Sequence, residues 1–211
     1  MSDRVTQLRH SWIANAARWT DAVRNRTIES RRLVTDAAIV DAILERRPRT
    51  VLDLGCGEGW LARALAAHGV SVTGVDASPA LVDAAREKGG GTFHVQPYDR
   101  LALDGKYDVV AANFSLLEEN LQPVFRALHP LTQDAMIIQT VHPAFVERDA
   151  PYVDGWREDA TWGEPMPWYC RTVGSWLRLF RECGFAIESI REPLHPERAQ
   201  PLSIVFVIVR T

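Results

Sequence analysis

The stretch VLDLGCGEGW, residues 51–60, ends an apolar run in three glycines on alternate positions, Gly55, Gly57 and Gly59. Glycine is unfavourable inside regular structure, so three at one strand end mark a backbone that bends sharply or is approached closely. Asp76 closes the next apolar run, in VTGVDASPA, and Ser78-Pro79 has the form of a helix N-cap followed by proline at the first helical position. A carboxylate at that place accepts hydrogen bonds from both hydroxyls of a ribose. A glycine loop alone serves many strand-to-helix turns. Joined to an acid at the end of the next strand, it indicates a nucleoside-type ligand.

The elements that position these residues are read from periodicity. Short apolar runs, several rich in β-branched residues, predict strands at Val51–Leu54, Ser71–Val75, Thr92–Val95, Tyr107–Ala112, Ala135–Thr140, Ala186–Ile190 and Ser203–Val209. Between them, apolar residues three or four apart predict helices over Trp60–His68, Pro79–Lys88, Leu117–His129 and Val173–Cys183. Strand and helix in alternation give crossover units, hence an α/β fold with a mostly parallel, doubly wound sheet. The last two strands are separated by the Pro-containing stretch 192–201 alone, which has no room for a helix, so they pair antiparallel. Residues 5–46 read as two helices, the second over Thr35–Arg46, that either cap the ligand edge of the sheet or complete its core. In such a sheet ligands bind beyond the carboxyl ends of the strands, where the glycine loop stands.

With 211 residues, 46% of them apolar, the chain suits one domain with a substantial core. Its 24 Lys and Arg against 27 Asp and Glu leave a formal net charge of −3, which argues against non-specific binding to nucleic acid or anionic membranes. Cys56, Cys170 and Cys183 are widely spaced, with no CxxC pair or His cluster, so neither a metal site nor a disulfide framework is expected. No run is long enough to span a bilayer, and a cytoplasmic setting is the simplest expectation.

The spacing Gly55-x-Gly57-x-Gly59, preceded by Asp53 within the strand, differs from the G-x-G-x-x-G of dinucleotide-binding folds. It resembles the first motif of the class I S-adenosylmethionine-dependent methyltransferases, and the resemblance covers about residues 48–211. It implies a seven-stranded Rossmann-like sheet with an antiparallel last strand, and S-adenosyl-L-methionine as cofactor. Carried over residue by residue, it places Asp53, Gly55, Cys56, Gly57 and Gly59 at the cofactor, with Gly55 to Gly57 along its methionine part. Asp76 then holds the ribose and Ala77-Ser78 lies beside the adenine. In HVQPYDRLA, Tyr98 presents its backbone N–H to the ring or Asp99 supplies a carboxylate; a plain turn with Asp99 solvated is the alternative. On this reading residues 1–47 form a helical cap, 48–143 the cofactor-binding half, 144–171 an aromatic insertion, and 172–211 the last helix and hairpin.

Methyl transfer is a displacement on a positively charged sulfur, to which alignment and exclusion of water contribute most. Asn113 and Phe114 fall at the carboxyl end of the fourth strand, beyond which the methyl is expected to project, and are further candidate cofactor-binding residues; Asn113 also either orients an acceptor or satisfies a turn. NFSL at this place lacks the two prolines found in the family's enzymes for DNA and protein amides, which again argues against a nucleic-acid substrate. His142, in QTVHPAF after the fifth strand, is expected at the same edge, either as the base that an alcohol or phenol acceptor needs or as a hydrogen-bonded structural residue. The insertion holds Phe145, Tyr152, Trp156, Trp162, Trp168 and Tyr169 in a loop-like stretch, read as a lid, core packing or a dimer contact. As a lid it makes Tyr152, Trp156, Trp168 and Tyr169, with His142, the candidate acceptor-binding residues. The expected activity is methyl transfer to oxygen or nitrogen of a small organic molecule by a monomer or homodimer, with no metal. The alternatives are a non-catalytic cofactor-binding protein or a nicotinamide-dependent oxidoreductase.

Overall fold

A computed structural model describes residues 3–143, 150–154 and 166–211, with 3, 99 and 150–154 described by their backbone. The central strand β1 (Thr50–Leu54) is buried along almost its whole length, as its unbroken apolar sequence requires. It pairs parallel with β2 (Ser71–Asp76) on one side and with β4 (Tyr107–Asn113) on the other. Beyond them lie β3 (Thr92–Val95) and β5 (Thr132–Val141), and then β9 (Ser203–Arg210) and the edge strand β8 (Phe185–Arg191). The order is β3-β2-β1-β4-β5-β9-β8, and β9 runs antiparallel to both of its neighbours. This is the sheet expected of the class I methyltransferase fold. Because the order reverses between β2 and β4, the carboxyl ends of β1 and its neighbours open a crevice.

Two apolar layers cover the sheet. One joins α6 (Gln122–Leu128) and α7 (Val173–Glu182) to the faces of β1, β4, β5 and β9 through Phe125, Trp176, Phe180 and Phe206. The other joins α3 (Asp36–Leu44), α4 (Trp60–Ala66) and α5 (Pro79–Lys88) through Ile39, Ile43, Leu61 and Val82. Local signals start these helices where the sequence places them. Ser78 Oγ accepts from the Leu81 N–H, and Thr172 Oγ1 accepts from the Ser175 N–H at 3.1 Å.

Three expectations need correction. The N-terminal segment is α1 (Asp3–Ala14) and α2 (Ala16–Arg24), then a π-helical turn over Arg31–Thr35 that runs into α3, so three helices stand where two were expected. The helix after β4 begins at Gln122 rather than Leu117, because the Leu117 carbonyl accepts from the Tyr169 N–H and so leaves the helical ladder. The insertion read as a loop contains a two-stranded antiparallel sheet, β6 (Ala150–Asp154) with β7 (Pro167–Cys170). Aromatic and β-branched residues concentrate there, and they favour a pleated surface over a loop. Among the described residues no helix is long and apolar enough to cross a membrane.

Candidate functional site

The glycine loop is shaped by hydrogen bonds to the neighbouring strand. The N–H groups of Gly55 and Cys56 both donate to the Val75 carbonyl, at 2.8 and 3.0 Å, which turns the chain across the top of β2. Gly55, Gly57 and Gly59 all have positive φ, at +75°, +54° and +83°, so the turn itself requires glycine-like conformations. Asp76 ties this loop to the next: its Oδ2 accepts from the Gly57 N–H and its Oδ1 from the Ser78 N–H, both at 2.9 Å. Burial pushes the Asp76 carboxyl up, while the N–H groups of Ser78, Gly57 and Ala77 pull it back. A second tie joins the loops after β3 and β4. The Tyr98 hydroxyl donates to the Ser115 carbonyl at 2.8 Å, and Ser115 Oγ donates to the Leu54 carbonyl at 2.5 Å.

Over these loops lies a cavity of about 210 Å³. Gly55, Gly57 and Asp76 form its floor, with Ala77, Ser78, Leu81, Pro97 and Tyr98 at one end and Asn113 and Phe114 at the other. Phe114 reaches its place with φ +52°, its N–H donating to the Gln139 carbonyl at 2.8 Å. The roof comes from the N-terminal helices: Leu8, Trp12 and Ile13 of α1 and Trp19 of α2. Sequence reasoning named none of these four, although the spacing of Trp12 and Trp19 allowed both to face one ligand; the rings meet edge to face with centroids 5.2 Å apart. It also missed Arg9 and Glu118 of the lining, whose charged groups stand 3.9 Å apart.

Other expected residues lie elsewhere. Asp53, Cys56 and Gly59 do not line the cavity. Asp53 is 2% exposed and points into the sheet's buried face, where burial first and the Asp76 charge second push its carboxyl up to about 7. Cys56 turns beneath the loop against Gly74, where a Cβ would stand 2.9 Å from its Sγ, and burial raises its thiol. Gly59 opens α4, and a Cβ there would stand 2.9 Å from the Ala85 Cβ, so this glycine serves helix packing.

His142 is likewise not brought to the cavity. Its ring is 8% exposed and its Nε2 lies 2.7 Å from Glu192 Oε1. His142 follows the last residue of β5, and its ring turns to Glu192, next to the end of β8. Trp168 packs with Trp12 against Leu8, Leu117 and Met166, and the Tyr169 ring lies under the Arg171 guanidinium at 4.9 Å. Both therefore flank the α1 wall without lining the cavity. The side chains of Tyr152 and Asp99, together with Phe145, Trp156 and Trp162, lie outside the described residues.

Chemically, the cavity offers a carboxylate over two loops, an apolar end and an aromatic roof. That set suits a ligand with a hydroxylated sugar between a flat base and a second polar end. S-adenosylmethionine is a ligand of that kind, and the lining residues suit it.

Comparison with known proteins agrees. A family model described as a methyltransferase domain matches residues 51–134. A stretch of 36 residues is 61% identical to the ubiquinone biosynthesis O-methyltransferase of Coxiella burnetii, covering 17% of this chain and 15% of that protein. A stretch of 101 residues is 36% identical to the magnesium-protoporphyrin O-methyltransferase of Rhodobacter capsulatus, covering 44% of this chain and 45% of that protein. The chain thus spans less than half the length of these relatives. Among solved structures, the 1,6-didemethyltoxoflavin-N1-methyltransferase of Burkholderia thailandensis, with bound 1,6-didemethyltoxoflavin and S-adenosylhomocysteine, superposes with a TM-score of 0.74 at 19% identity, over 100% of this chain and 92% of that one.

Proposed function

We propose that this chain, which belongs to the S-adenosylmethionine-dependent methyltransferases, methylates an oxygen or nitrogen of a small organic acceptor. The observation that carries the reading is the Asp76 carboxylate, which is bonded to the Gly57 and Ser78 N–H groups at the floor of a roofed cavity. When bound, the cofactor supplies a methyl group on a positively charged sulfur. The chain's own residues bind and align. Asp76 accepts from the ribose hydroxyls, Leu81 and Pro97 enclose the adenine, and Gly55 and Gly57 let the other end lie close to the backbone. Asn113 and Phe114 mark the end of the cavity at which an acceptor enters, next to the wall that Leu8 and Leu117 share with Trp168.

Trp12 and Ile13 exclude water from that end, which favours a displacement that disperses charge. Alignment of the acceptor against the cofactor carries the rate on this reading. The relatives' names support small cyclic acceptors, a magnesium porphyrin in one case and 1,6-didemethyltoxoflavin in another. The test is incubation with methyl-tritiated S-adenosylmethionine and panels of phenols, amines and nitrogen heterocycles. Label passing to one class, with release of S-adenosylhomocysteine, is expected. Binding of the cofactor without transfer to any panel would point to a binding protein instead.

A further inference from the structure

We propose that the groove between α2, α3 and α4 is a second binding site, one that takes a phosphate ester. The groove has a volume of about 750 Å³, enough for a small organic ligand, and it shares no described lining residue with the cavity over the glycine loop. Arg24, Arg26, Arg31, Arg63 and Lys88 line it, against two acids, Asp36 and Asp41. Both acids have cations of their own: Asp36 Oδ1 accepts from Arg31 Nε at 2.9 Å, and Asp41 lies close enough to Arg191 to act on its charge. Glu87 approaches Arg24 at 3.6 Å, but it is exposed and does not line the groove. Val23, Val40 and Trp60 add an apolar wall.

The cations of the groove keep capacity for an anion. Arg24 and Arg63 share one buried carboxylate, that of Glu58, which fixes both guanidinium groups and balances a single charge. Arg31 is 8% exposed, and its Nη1 has no hydrogen-bond partner among the described residues, a costly state for a buried donor until a ligand or water meets it. Arg26 makes no side-chain hydrogen bond or ion pair among the described residues. It stands just past the Asn25 cap of α2 with φ +55°, its N–H donating to the Val23 carbonyl at 3.2 Å and the Thr27 N–H to the Ala22 carbonyl at 3.1 Å. Glycine is the residue that such a helix ending favours. The helix dipole does not account for the arginine, because Arg24 already occupies the last turn; a role in the groove that it lines does. A phosphate dianion has three terminal oxygens and engages several guanidinium groups at once, whereas one arginine fork fills a carboxylate. Five cations around one groove therefore favour the phosphate, and the wall of Val40 and Trp60 favours an organic ester of it over the inorganic ion.

The test is calorimetry of phenyl phosphate, benzoate and inorganic phosphate on the full chain. Phenyl phosphate should saturate one site per chain, bind about tenfold more tightly than either of the others, and bind equally well with and without excess S-adenosylhomocysteine. Arg26→Gly should weaken it by about tenfold, the factor that one hydrogen bond between charged groups gives. The same substitution should hold or raise the melting temperature, because glycine relieves the left-handed backbone. Lys88→Ala, on another helix, should weaken phenyl phosphate likewise while the chain still melts cooperatively. Absence of saturable binding, displacement by S-adenosylhomocysteine, or wild-type affinity in either variant overturns the site. Equal affinity for benzoate or for inorganic phosphate overturns its assignment to a phosphate ester.

Discussion

Gly55 and Gly57 look equivalent in sequence, and their surroundings separate them. A Cβ on Gly55 would lie 2.4 Å from the Ser115 Cβ and 2.6 Å from the Tyr98 hydroxyl, whereas on Gly57 the nearest described atom is 3.5 Å away. Gly55→Ala should therefore displace the Tyr98–Ser115 tie and cost about 2–4 kcal/mol of stability; Gly57→Ala should cost about 1 kcal/mol, from its left-handed backbone alone. Thermal melts check the difference, and equal costs would make the conformation rather than the space decisive. Asp53 gives a pH prediction. Its carboxyl moves from the ordinary 3.8 to about 7 on folding, so between these pH values the folded chain holds a proton that the unfolded chain has released. The stability this group contributes is full below about pH 4 and is lost as pH rises through about 7. Asp53→Asn should flatten that slope and stabilise the chain at pH 8 by a few kcal/mol at most. Urea unfolding at pH 5 and pH 8 measures it.

At the scale of elements, the roof is fastened to the floor by Glu58, which stands between Gly57 and Gly59. Its side chain is fully buried, and Arg63 of α4 holds both carboxylate oxygens, at 2.6 and 2.8 Å. Arg24, the last residue of α2, approaches the same carboxylate at 3.2 Å and donates to the Ala84 carbonyl of α5 at 3.0 Å. The loop that forms the cavity floor thus shares a buried charge with a helix that covers it. Arg24→Ala leaves Glu58 paired to Arg63, so its expected cost is about 1–2 kcal/mol rather than that of an orphaned buried charge. Hydrogen exchange should quicken in α1 and α2 and stay unchanged in β1 and β4. Uniform acceleration would show that Arg24 supports the whole fold instead.

For the molecule as a whole, the two large apolar layers contain, among the described residues, no buried core residue before Ile39, while α1 joins a smaller cluster of Leu8, Leu117 and Met166. Removing residues 1–27 should leave a sheet that still unfolds cooperatively and should weaken S-adenosylmethionine by more than about tenfold, because Trp12, Ile13 and Trp19 are lost from the cavity. Circular dichroism melts and calorimetry on the shortened chain separate the outcomes. Loss of cooperative unfolding would make the cap part of the core, the alternative that periodicity left open.

The strands themselves, the glycine turn and the acid ending β2 were legible in the sequence because each depends on residues a few positions apart. An apolar run sets a buried strand, positive φ demands glycine, and Ser78-Pro79 starts a helix wherever it stands. The same locality explains what was misplaced. Asp53, Cys56 and Gly59 belong to the motif by spacing, but Asp53 is buried within β1, Cys56 turns beneath the loop against Gly74 and Gly59 packs on Ala85, so only Gly55 and Gly57 of that stretch reach the cavity. His142 follows β5 as expected, but β5 neighbours β9, and the His142 ring pairs with Glu192 at the end of β8. The roof needed the tertiary structure most. Helical periodicity shows that α1 and α2 have a face to bury and carries no information about its partner. Trp19 meets Gly57, and Arg24 meets Glu58, only after β1 and β2 have formed the edge on which α2 rests.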